Sequence, residues 1–497
     1  MKPNILFVMS DDHAAHAVSA YGSRINKTPH IDRLARDGVR LTNCHCTNSL
    51  CTPSRATILT GQYGHVTGVR EWQPLDNRRP AQLQKLLKAA GYATAIFGKW
   101  HLGHGVTDNV DRVDNGAPNA VPADPQGFDY WSILPGHGRY HDPALLTPAG
   151  KTTVEGYVSD IITDQALDWL TNRADDEKPF FLCVHHKAPH RNWEPGERYK
   201  HLYVDEEIPQ PETFDDDYAG RPAAAAARMR IMGDLTERDV KGEPPAELSD
   251  PALKNWYYQR YIKDYLRCVA SVDASVGRLL DYLDDSGQSR NTIVVYTSDQ
   301  GFFLGDHGWY DKRFIYEHSV RMPFLMRYPA EIEHGTVREE LLTNLDFAPT
   351  LLDYAGVVAP PEMQGISGRA MLRGEASSDW QGSFYYRYWD HGGHNVCSHY
   401  GVRTMTHKLV YFHPPEKTWR GVVDPEPRLA PYWELYDLVN DPDELHNAYG
   451  EPAYAEIQAQ LHVELDRLQR KYGDDPLHST ESPRGEPPAS GDAQQRP

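Results

Sequence analysis

Cysteine is scarce in this chain of 497 residues, which contains only six. They are too few and too scattered for the disulfide framework that holds small secreted domains together. The Cys44-x-Cys46 pair lacks the spacing of a zinc site, and we interpret it as packing. The six are Cys44, Cys46, Cys51, Cys183, Cys268 and Cys397.

Long apolar runs are also missing, which excludes a membrane-spanning helix at the level of the sequence. The chain opens with Met1-Lys2-Pro3-Asn4-Ile5 and enters a strand-like segment at once. A secretory leader consists of a charged segment followed by an apolar segment and a cleavage site. The start of this chain does not show that pattern. We therefore expect a cytoplasmic protein for the chain as given, or a periplasmic or secreted one if a leader has been removed.

Positive charge is in deficit, with 51 Lys and Arg residues against 70 Asp and Glu residues and a formal net charge of −19. A strongly acidic surface argues against a nucleic acid or an anionic membrane as the partner. Histidine, by contrast, is abundant, with 24 residues. Nothing in the sequence indicates an oligomeric state.

Short apolar segments of strand length alternate with helical patterns along most of the chain. The strand-like segments include residues 5–9, 93–97, 180–184 and 292–296, and a long helical pattern precedes the last of them. Such alternation predicts an α/β fold with a mostly parallel central sheet that helices cover on both faces.

The composition changes near residue 375. Beyond it, aromatic strand patterns at residues 384–389 and 408–412 precede a helical pattern at residues 457–472. The last residues are rich in Pro, Ser, Gly and Gln, a composition typical of disorder. We predict a catalytic domain over residues 1–375, a smaller α+β subdomain over residues 376–477 and a disordered tail over residues 478–497.

Each of the four strand-like segments runs directly into a polar cluster. In open α/β sheets, ligand sites form at the carboxyl ends of the strands. The four segments therefore predict one convergent pocket, although they are spread over most of the chain. The clusters are Asp11-Asp12-His13, Gly98-Lys99-Trp100-His101, residues 185–190 and Ser298-Asp299-Gln300-Gly301.

Adjacent carboxylates at Asp11 and Asp12 are an unfavourable arrangement unless a cation neutralises them. Together with Asp299 and Gln300 they form an all-oxygen ligand set, which suits Ca²⁺ or Mg²⁺ and does not suit zinc. Taken alone, the Asp-Asp pair favours a turn of solvated carboxylates, and it is the second cluster with Asp299 that favours a metal site.

The pentapeptide Cys51-Thr52-Pro53-Ser54-Arg55 continues into residues 56–61, Ala-Thr-Ile-Leu-Thr-Gly. A lone cysteine is most often a small buried hydrophobe. The extended motif, however, resembles the signature of the type I sulfatases of the alkaline-phosphatase-like superfamily. Residues 434–438 and 441–444 also match the C-terminal signature of that family, so the resemblance covers nearly the whole chain.

The resemblance implies that a formylglycine-generating enzyme oxidises Cys51 to formylglycine. One hydroxyl of the hydrated aldehyde attacks sulfur, and the second expels sulfate by re-forming the aldehyde, which splits one hard displacement into two easier ones. It also implies that Ca²⁺, with Mg²⁺ as the alternative, is held by Asp11, Asp12, Asp299, Gln300 and the modified Cys51. The family often has Asn or His where this chain has Gln300.

Catalytic roles follow from the same resemblance. Arg55 and Lys99 would bind the oxygens of the formylglycine hydrate, and His101 would deprotonate its second hydroxyl. Lys312 would contact the sulfate, and His190 would protonate the leaving alcohol. These cations and the metal would make the electrostatic potential of the site positive, although the protein as a whole is acidic.

Several loops resemble the branch of the family that contains N-acetylglucosamine-6-sulfatases, among them residues 127–131, 135–143, 186–193 and 299–305. The expected substrate is a sulfated carbohydrate, with exo removal of a 6-O-sulfate from N-acetylglucosamine or a related sugar. Two alternatives remain open: a phosphonate or phosphate diester hydrolase on the same fold, and a non-catalytic sulfoglycan-binding protein if Cys51 is never oxidised. The candidate sugar-binding residues are Arg139, His141, Arg191, His394 and His399.

Overall fold

The structure is a computed structural model, and it describes residues 2–103, 125–173, 177–390, 393–413 and 429–474. The predicted disordered tail over residues 478–497 lies outside the described residues. No helix in the described part of the chain is long and apolar enough to cross a membrane.

The strands, in chain order, are β1 (Asn4–Ser10), β2 (Val39–Leu41), β3 (Cys44–His45), β4 (Ala93–Lys99), β5 (Tyr130–Leu134), β6 (Ala144–Thr147), β7 (Gly150–Thr153), β8 (Phe180–His185), β9 (Thr292–Ser298), β10 (Phe324–Arg327), β11 (Thr336–Arg338), β12 (Leu342–Thr343), β13 (Ser383–Tyr388), β14 (His399–Thr404), β15 (His407–Phe412) and β16 (Tyr432–Asp437).

The α-helices are α1 (Ile31–Arg36), α2 (Cys51–Thr60), α3 (Gly64–Thr67), α4 (Leu83–Ala89), α5 (Val158–Asn172), α6 (Pro222–Ala226), α7 (Ile231–Asp234), α8 (Glu237–Val240), α9 (Ala252–Asp285), α10 (Glu317–Val320), α11 (Phe347–Tyr354), α12 (Arg369–Leu372) and α13 (Ala455–Tyr472). Short 3-10 turns lie at Ala15–Ala17, Ser19–Tyr21, Glu197–Tyr199, Ser289–Asn291, Asp306–Gly308, Asn344–Asp346 and Pro452–Tyr454.

A ten-stranded sheet with the order β11-β2-β10-β9-β1-β8-β4-β5-β6-β7 forms the centre of the fold. Strand β1 is parallel to β8 and β9, with Phe7 opposite Cys183 on one side and Val295 on the other. These strands are buried along their whole length, as expected for parallel strands covered on both faces. Strands β6 and β10 run antiparallel to their neighbours. The predicted α/β class with a mostly parallel sheet is confirmed.

The helices pack in two groups around this sheet. Helices α1 and α5 contact the long helix α9, whereas α2 and α4 contact α11. Helices α4 and α5 both contact β4, so the two groups share the same sheet.

The C-terminal part forms a separate antiparallel sheet in the order β13-β14-β15-β16, and helix α13 packs against it. This is the predicted smaller α+β unit. The domain boundary at residue 375 stays a prediction; strand β13 begins at Ser383. Lys408 on β15 connects the unit to the rest of the chain, because its Nζ lies 3.0 Å from Glu317 Oε1 and donates to Ile315 O over 2.7 Å.

Candidate active site

The four predicted polar clusters meet at one edge of the central sheet. Strands β9, β1, β8 and β4 are consecutive and parallel, so their carboxyl ends lie side by side. Asp11 follows β1, Lys99 ends β4, His190 follows β8 and Asp299 follows β9. The convergent pocket that the sequence predicts at this edge is therefore present.

Three carboxylates and one amide are fully buried here: Asp11, Asp12, Asp299 and Gln300 are each 0% exposed. The backbone N–H of Asp12 donates to Asp299 Oδ1 over 3.1 Å, and the amide nitrogen of Gln300 donates to Asp12 Oδ1. Residues from β1 and β9 are thus tied into one cluster.

Burial makes the fully ionised form of this cluster costly. Burial raises the pKa of Asp12 to about 6 and that of Asp299 to about 7, and the nearby Asp11 carboxylate contributes to both shifts. Burial also opposes ionisation of Asp11, but the positive charges of Lys99, Arg55 and Lys312 outweigh it and hold the Asp11 pKa below its ordinary value. Three carboxylates this close and this deep are costly to ionise together, and a divalent cation relieves that cost.

The donor set fits a hard cation. Asp11, Asp12 and Cys51 each place one ligand atom within 4.8 Å of the others. The side-chain oxygen of Gln300 is buried and has no hydrogen-bond partner in the described structure, so it is available as a ligand. Asp11, His137 and His190 form a second such group, but its two nitrogens suit a hard cation less well than oxygens do.

Cys51 is the first residue of helix α2, which is buried along its entire length. Pro53 lies in the first turn, where a helix leaves its N–H groups unpaired and proline costs nothing. Cys51 Sγ donates to Asp11 Oδ1 over 3.4 Å. Burial and the Asp11 charge raise the pKa of the Cys51 thiol, so the unmodified side chain stays protonated and is a weak nucleophile.

Arg55 lies one turn further along α2 and holds two strand ends together. Its Nε lies 2.9 Å from Asp299 Oδ2, and its Nη1 donates to Lys99 O over 2.9 Å. Lys99 Nζ forms an ion pair with Asp11 Oδ2 and lies 3.1 Å from His137 Nδ1. Lys312 Nζ pairs with Asp12 on the other side. Three cations therefore surround the carboxylates.

Three imidazole rings lie in a row beside these groups. The ring centroids of His101 and His137 are 4.1 Å apart, and those of His137 and His190 are 4.3 Å apart. Burial and the nearby cations lower the pKa of all three, so they are neutral near pH 7. His101 Nε2 is buried and has no hydrogen-bond partner among the described residues.

The hydrogen bond of His190 fixes its tautomer. Its Nδ1 lies 2.8 Å from Arg191 O, and a carbonyl oxygen can only accept, so Nδ1 carries the proton. The other ring nitrogen, Nε2, lies 3.7 Å from Asp12 Oδ2 and faces the carboxylate cluster. Nε2 is therefore the nitrogen that gains or gives a proton in the site.

A cavity of about 690 Å³ is bordered by His190 and Lys312. Four of the five predicted sugar-binding residues also line it: Arg139, His141, Arg191 and His394.

Two of these four residues have firm protein contacts. The Arg191 guanidinium makes a two-pronged ion pair with Asp239 and donates to Tyr310 OH over 3.3 Å. His394 Nδ1 donates to Arg228 O over 2.8 Å, and its Nε2 lies 3.3 Å from Asp311 Oδ2.

The prediction that His399 contacts the sugar is wrong. His399 is fully buried in strand β14, where its Nε2 accepts the N–H of Ile315 over 3.1 Å and its Nδ1 donates to Cys397 O over 2.7 Å. Its ring packs against Tyr386 and Phe412. Both ring nitrogens are used inside the protein, so His399 has a structural role.

Sequence reasoning missed five residues of the site. His137 follows β5 between Gly136 and Gly138, and the strand-end argument, if extended to that strand, would have found it. Asp311 and Arg313 flank the predicted Lys312, and Arg313 Nε lies 2.9 Å from Asp311 Oδ1. Lys187 lies in the predicted polar cluster at residues 185–190, and Asp390 lies close to His394 in the sequence, but neither was singled out. All five line the cavity.

Comparison with known proteins agrees with this geometry. The chain matches the Sulfatase family over residues 3–357 and the C-terminal family of N-sulphoglucosamine sulphohydrolase over residues 305–471. It is 39% identical over 520 residues to an N-acetylglucosamine-6-O-sulfatase of Bacteroides thetaiotaomicron, which covers 95% of this chain and 87% of the relative. It is 27% identical over 417 residues to the N-acetylglucosamine-6-sulfatase of Homo sapiens, over 79% of this chain and 68% of the relative.

A solved structure of a protein in complex with its substrate, D-glucosamine-2-N,6-O-disulfate, superposes with a TM-score of 0.87 and 38% sequence identity. The superposition covers 97% of this chain and 100% of that chain. Because the Sulfatase match includes the entire central sheet together with Cys51, Lys312 and the carboxylates at the sheet edge, the chain belongs to the sulfatase family and is a sulfuric ester hydrolase.

Proposed function

We propose that this sulfatase removes the 6-O-sulfate of N-acetylglucosamine, or of a closely related sulfated glucosamine, from the end of a glycan chain. The proposal is carried by the position of Cys51 beside Asp11, in a carboxylate cluster whose ion-pair partner Lys312 borders a cavity of about 690 Å³. That volume suits one sugar unit and its substituents. The names of the relatives at 39% and 27% identity support the choice of sugar and of position.

Two groups complete the proposed site. A formylglycine-generating enzyme would convert Cys51, and Asp11, Asp12, Asp299 and Gln300 would hold Ca²⁺, with Mg²⁺ as the alternative. The formylglycine hydrate supplies the nucleophile, and the bound cation supplies positive charge against the sulfate oxygens.

The protein's own cations provide most of the remaining stabilisation. Lys99 and Lys312 are buried beside the carboxylates, where an ammonium group acts in a low dielectric and needs no reorganisation. Arg55 Nη2 is buried without a hydrogen-bond partner in the described structure and lies 3.9 Å from Asp11 Oδ1, close to the nucleophile position. These three side chains would hold the sulfate and the nucleophile in line.

Two histidines would move protons. His190 would protonate the leaving sugar oxygen from Nε2, because its Nδ1 is fixed on Arg191 O. In the neutral ring Nε2 carries no proton to give. The bound anionic substrate must therefore favour a second proton on the ring, at Nε2. His101 would accept the proton of the second hydroxyl at Nε2, which is unpartnered in the described structure and neutral near pH 7.

The sugar would be held by residues from both parts of the chain. Arg139 and His141 come from the loop after β5, and His394 comes from the C-terminal part; all three line the cavity. Arg313 and Asp390 form an ion pair of 3.2 Å on the same wall and offer both donors and acceptors to hydroxyl groups. A cavity enclosed by several loops accepts a terminal sugar more readily than the interior of a chain.

The first test compares kcat/KM for N-acetylglucosamine-6-sulfate with kcat/KM for 2-O- and 4-O-sulfated sugars. The second test compares kcat/KM for an aryl sulfate with kcat/KM for a matched aryl phosphodiester. We expect the 6-O-sulfated hexosamine to be the best of the sugars and the sulfate ester to exceed the phosphodiester. A faster reaction with a 2-O- or 4-O-sulfated sugar would refute the substrate, and a faster phosphodiester reaction would favour the alternative hydrolase.

A further inference from the structure

Asp239 is a fully buried carboxylate outside the predicted catalytic set, on the short helix α8. It accepts hydrogen bonds from Arg191 Nε over 2.7 Å and from Asn192 Nδ2 over 2.6 Å, and it pairs with Arg191 Nη2. Thr236 adds its backbone N–H at 2.8 Å and its hydroxyl at 2.7 Å. One carboxylate therefore holds the side chains of two consecutive residues next to His190.

These two side chains flank a single peptide group. The peptide between Arg191 and Asn192 carries the carbonyl oxygen Arg191 O, and its two Cα atoms are each anchored through a side chain to Asp239. Rotation of this peptide would pull at least one anchor off the carboxylate, leaving buried polar groups unpaired. The direction of Arg191 O is thus set by Asp239.

That carbonyl oxygen is the acceptor on which the active-site histidine depends. Arg191 O accepts the proton of His190 Nδ1 over 2.8 Å and a hydrogen bond from Lys187 Nζ over 3.3 Å. The Nδ1 contact turns the ring so that Nε2 lies toward Asp12. If the carbonyl turned away, the ring would lose both its tautomer preference and its orientation.

We propose that Asp239 is a positioning residue for His190: it fixes the Arg191–Asn192 peptide, whose carbonyl holds the Nδ1 proton and so presents Nε2 to the leaving oxygen. The inference rests on the proposed role of His190 as the acid that protonates the leaving alcohol. It also gives Arg191 a function that requires no contact with the sugar, although its side chain lines the cavity.

The test uses Asp239→Asn, which keeps the shape of the side chain but loses its charge and replaces one acceptor oxygen by an NH₂ group. Phenyl sulfate and 4-nitrophenyl sulfate are the substrates, because neither carries a sugar that Arg191 could contact. Nitrophenolate leaves without a proton, whereas phenolate needs one, and a positioned acid contributes about 10²–10⁴-fold. We expect the variant to lose at least about tenfold more kcat/KM on phenyl sulfate than on 4-nitrophenyl sulfate.

Two further variants separate positioning from general damage. His190→Asn should show the same selective loss, and the double variant Asp239→Asn/His190→Asn should lose no more on phenyl sulfate than His190→Asn alone, because both changes remove one effect. Asp216→Asn is the matched control: the Asp216 carboxylate forms an ion pair with Arg221 and lies 2.7 Å from His307 Nδ1, but it contacts neither Arg191 nor Asn192. It should show equal, small effects on both substrates.

Equal losses on the two aryl sulfates in Asp239→Asn, or an additive loss in the double variant, would overturn the positioning role. If Asp239→Asn does not fold, Asn192→Ala removes one anchor only and should show a smaller loss of the same selectivity; no selectivity there would also overturn it. Failure of the wild-type, formylglycine-containing enzyme to turn over any sulfate ester would instead refute the proposed function itself.

Discussion

Lys312 and Asp12, 300 positions apart in the chain, form a buried ion pair in which Lys312 Nζ lies 2.6 Å from each carboxylate oxygen. Burial opposes the charge on Lys312, but Asp12 together with Cys51, Asp311 and Asp11 outweighs it and raises the Lys312 pKa. The pair links the end of β1 to the segment after β9, and Lys312 also borders the cavity. It therefore connects the carboxylate cluster to the place where substrate is expected.

Cys51→Ser should abolish multiple turnover while the protein keeps its fold. A serine hydroxyl that attacked sulfur would be trapped as a stable sulfate ester, because it has no second hydroxyl to expel sulfate. Steady-state assays on an aryl sulfate and the melting temperature are the measurements. Mass spectrometry of the peptide that contains residue 51 gives the control, since oxidation replaces sulfur by oxygen and creates a hydrazide-reactive aldehyde. Wild-type rates in Cys51→Ser would rule out the mechanism.

Removal of the divalent cation should abolish activity and lower stability. A ligand that binds only the folded state stabilises it by about 2.7 kcal/mol at a concentration of 100 times Kd, so adding CaCl₂ to chelated protein should raise Tm. In Asp12→Ala this rise should be much smaller, because the cluster loses a carboxylate. Stoichiometric zinc without calcium or magnesium in the active enzyme would contradict the oxygen-ligand site.

His394→Ala should depress desulfation of the sugar substrate far more than hydrolysis of a small aryl sulfate. Its ring lines the cavity between Arg228 O and Asp311 but contacts none of the carboxylates of the cluster. A comparison of kcat/KM on the two substrates measures the effect. Similar losses on both would remove His394 from sugar recognition.

Lys408→Met should destabilise the protein by about 3–5 kcal/mol, the usual cost of removing one partner of a buried ion pair. Lys408 is fully buried, and its Nζ lies 2.5 Å from Glu444 Oε1 and 3.0 Å from Glu317 Oε1. The change therefore leaves the buried Glu444 and the partly buried Glu317 without their common cation. Urea unfolding measures the loss. Lys151→Met, at an exposed position in β7, is the control and should change the free energy of unfolding little; an equal effect of both variants would contradict the assignment.

Much of the site was predictable because it follows from a single rule, that polar residues at the ends of neighbouring parallel strands meet. That rule predicted that the carboxylates, Lys99 and His190 lie close together at one edge of the sheet, as they do in the structure, whereas their catalytic roles stay predictions. The strand-end rule could not tell which histidine of the C-terminal part lines the cavity. His394 and His399 look alike in the sequence, but His399 lies in a strand, where alternate side chains point inward and its neighbours Tyr386 and Phe412 cover it.

Asp239 shows a second limit of sequence reasoning. Its partners Arg191 and Asn192 are nearly 50 positions away, and residues 205–255 have the polar, Ala- and Pro-interrupted pattern of a surface insertion. No periodicity or motif indicates that this insertion returns to the end of β8. Only the folded chain brings its carboxylate beside His190.

The burial of helix α2 has a consequence for timing. Cys51 is 0% exposed, and every residue of the helix around it is buried as well. The proposed oxidation of Cys51 would require an enzyme to hold the surrounding peptide in its own active site, and the burial of that peptide opposes this in the folded chain. Under the proposed function, oxidation would therefore precede folding, and the two processes would compete for each newly made chain. A molecule that folded with an unmodified Cys51 would stay inactive until it unfolded, so the active fraction of a preparation would be decided at synthesis.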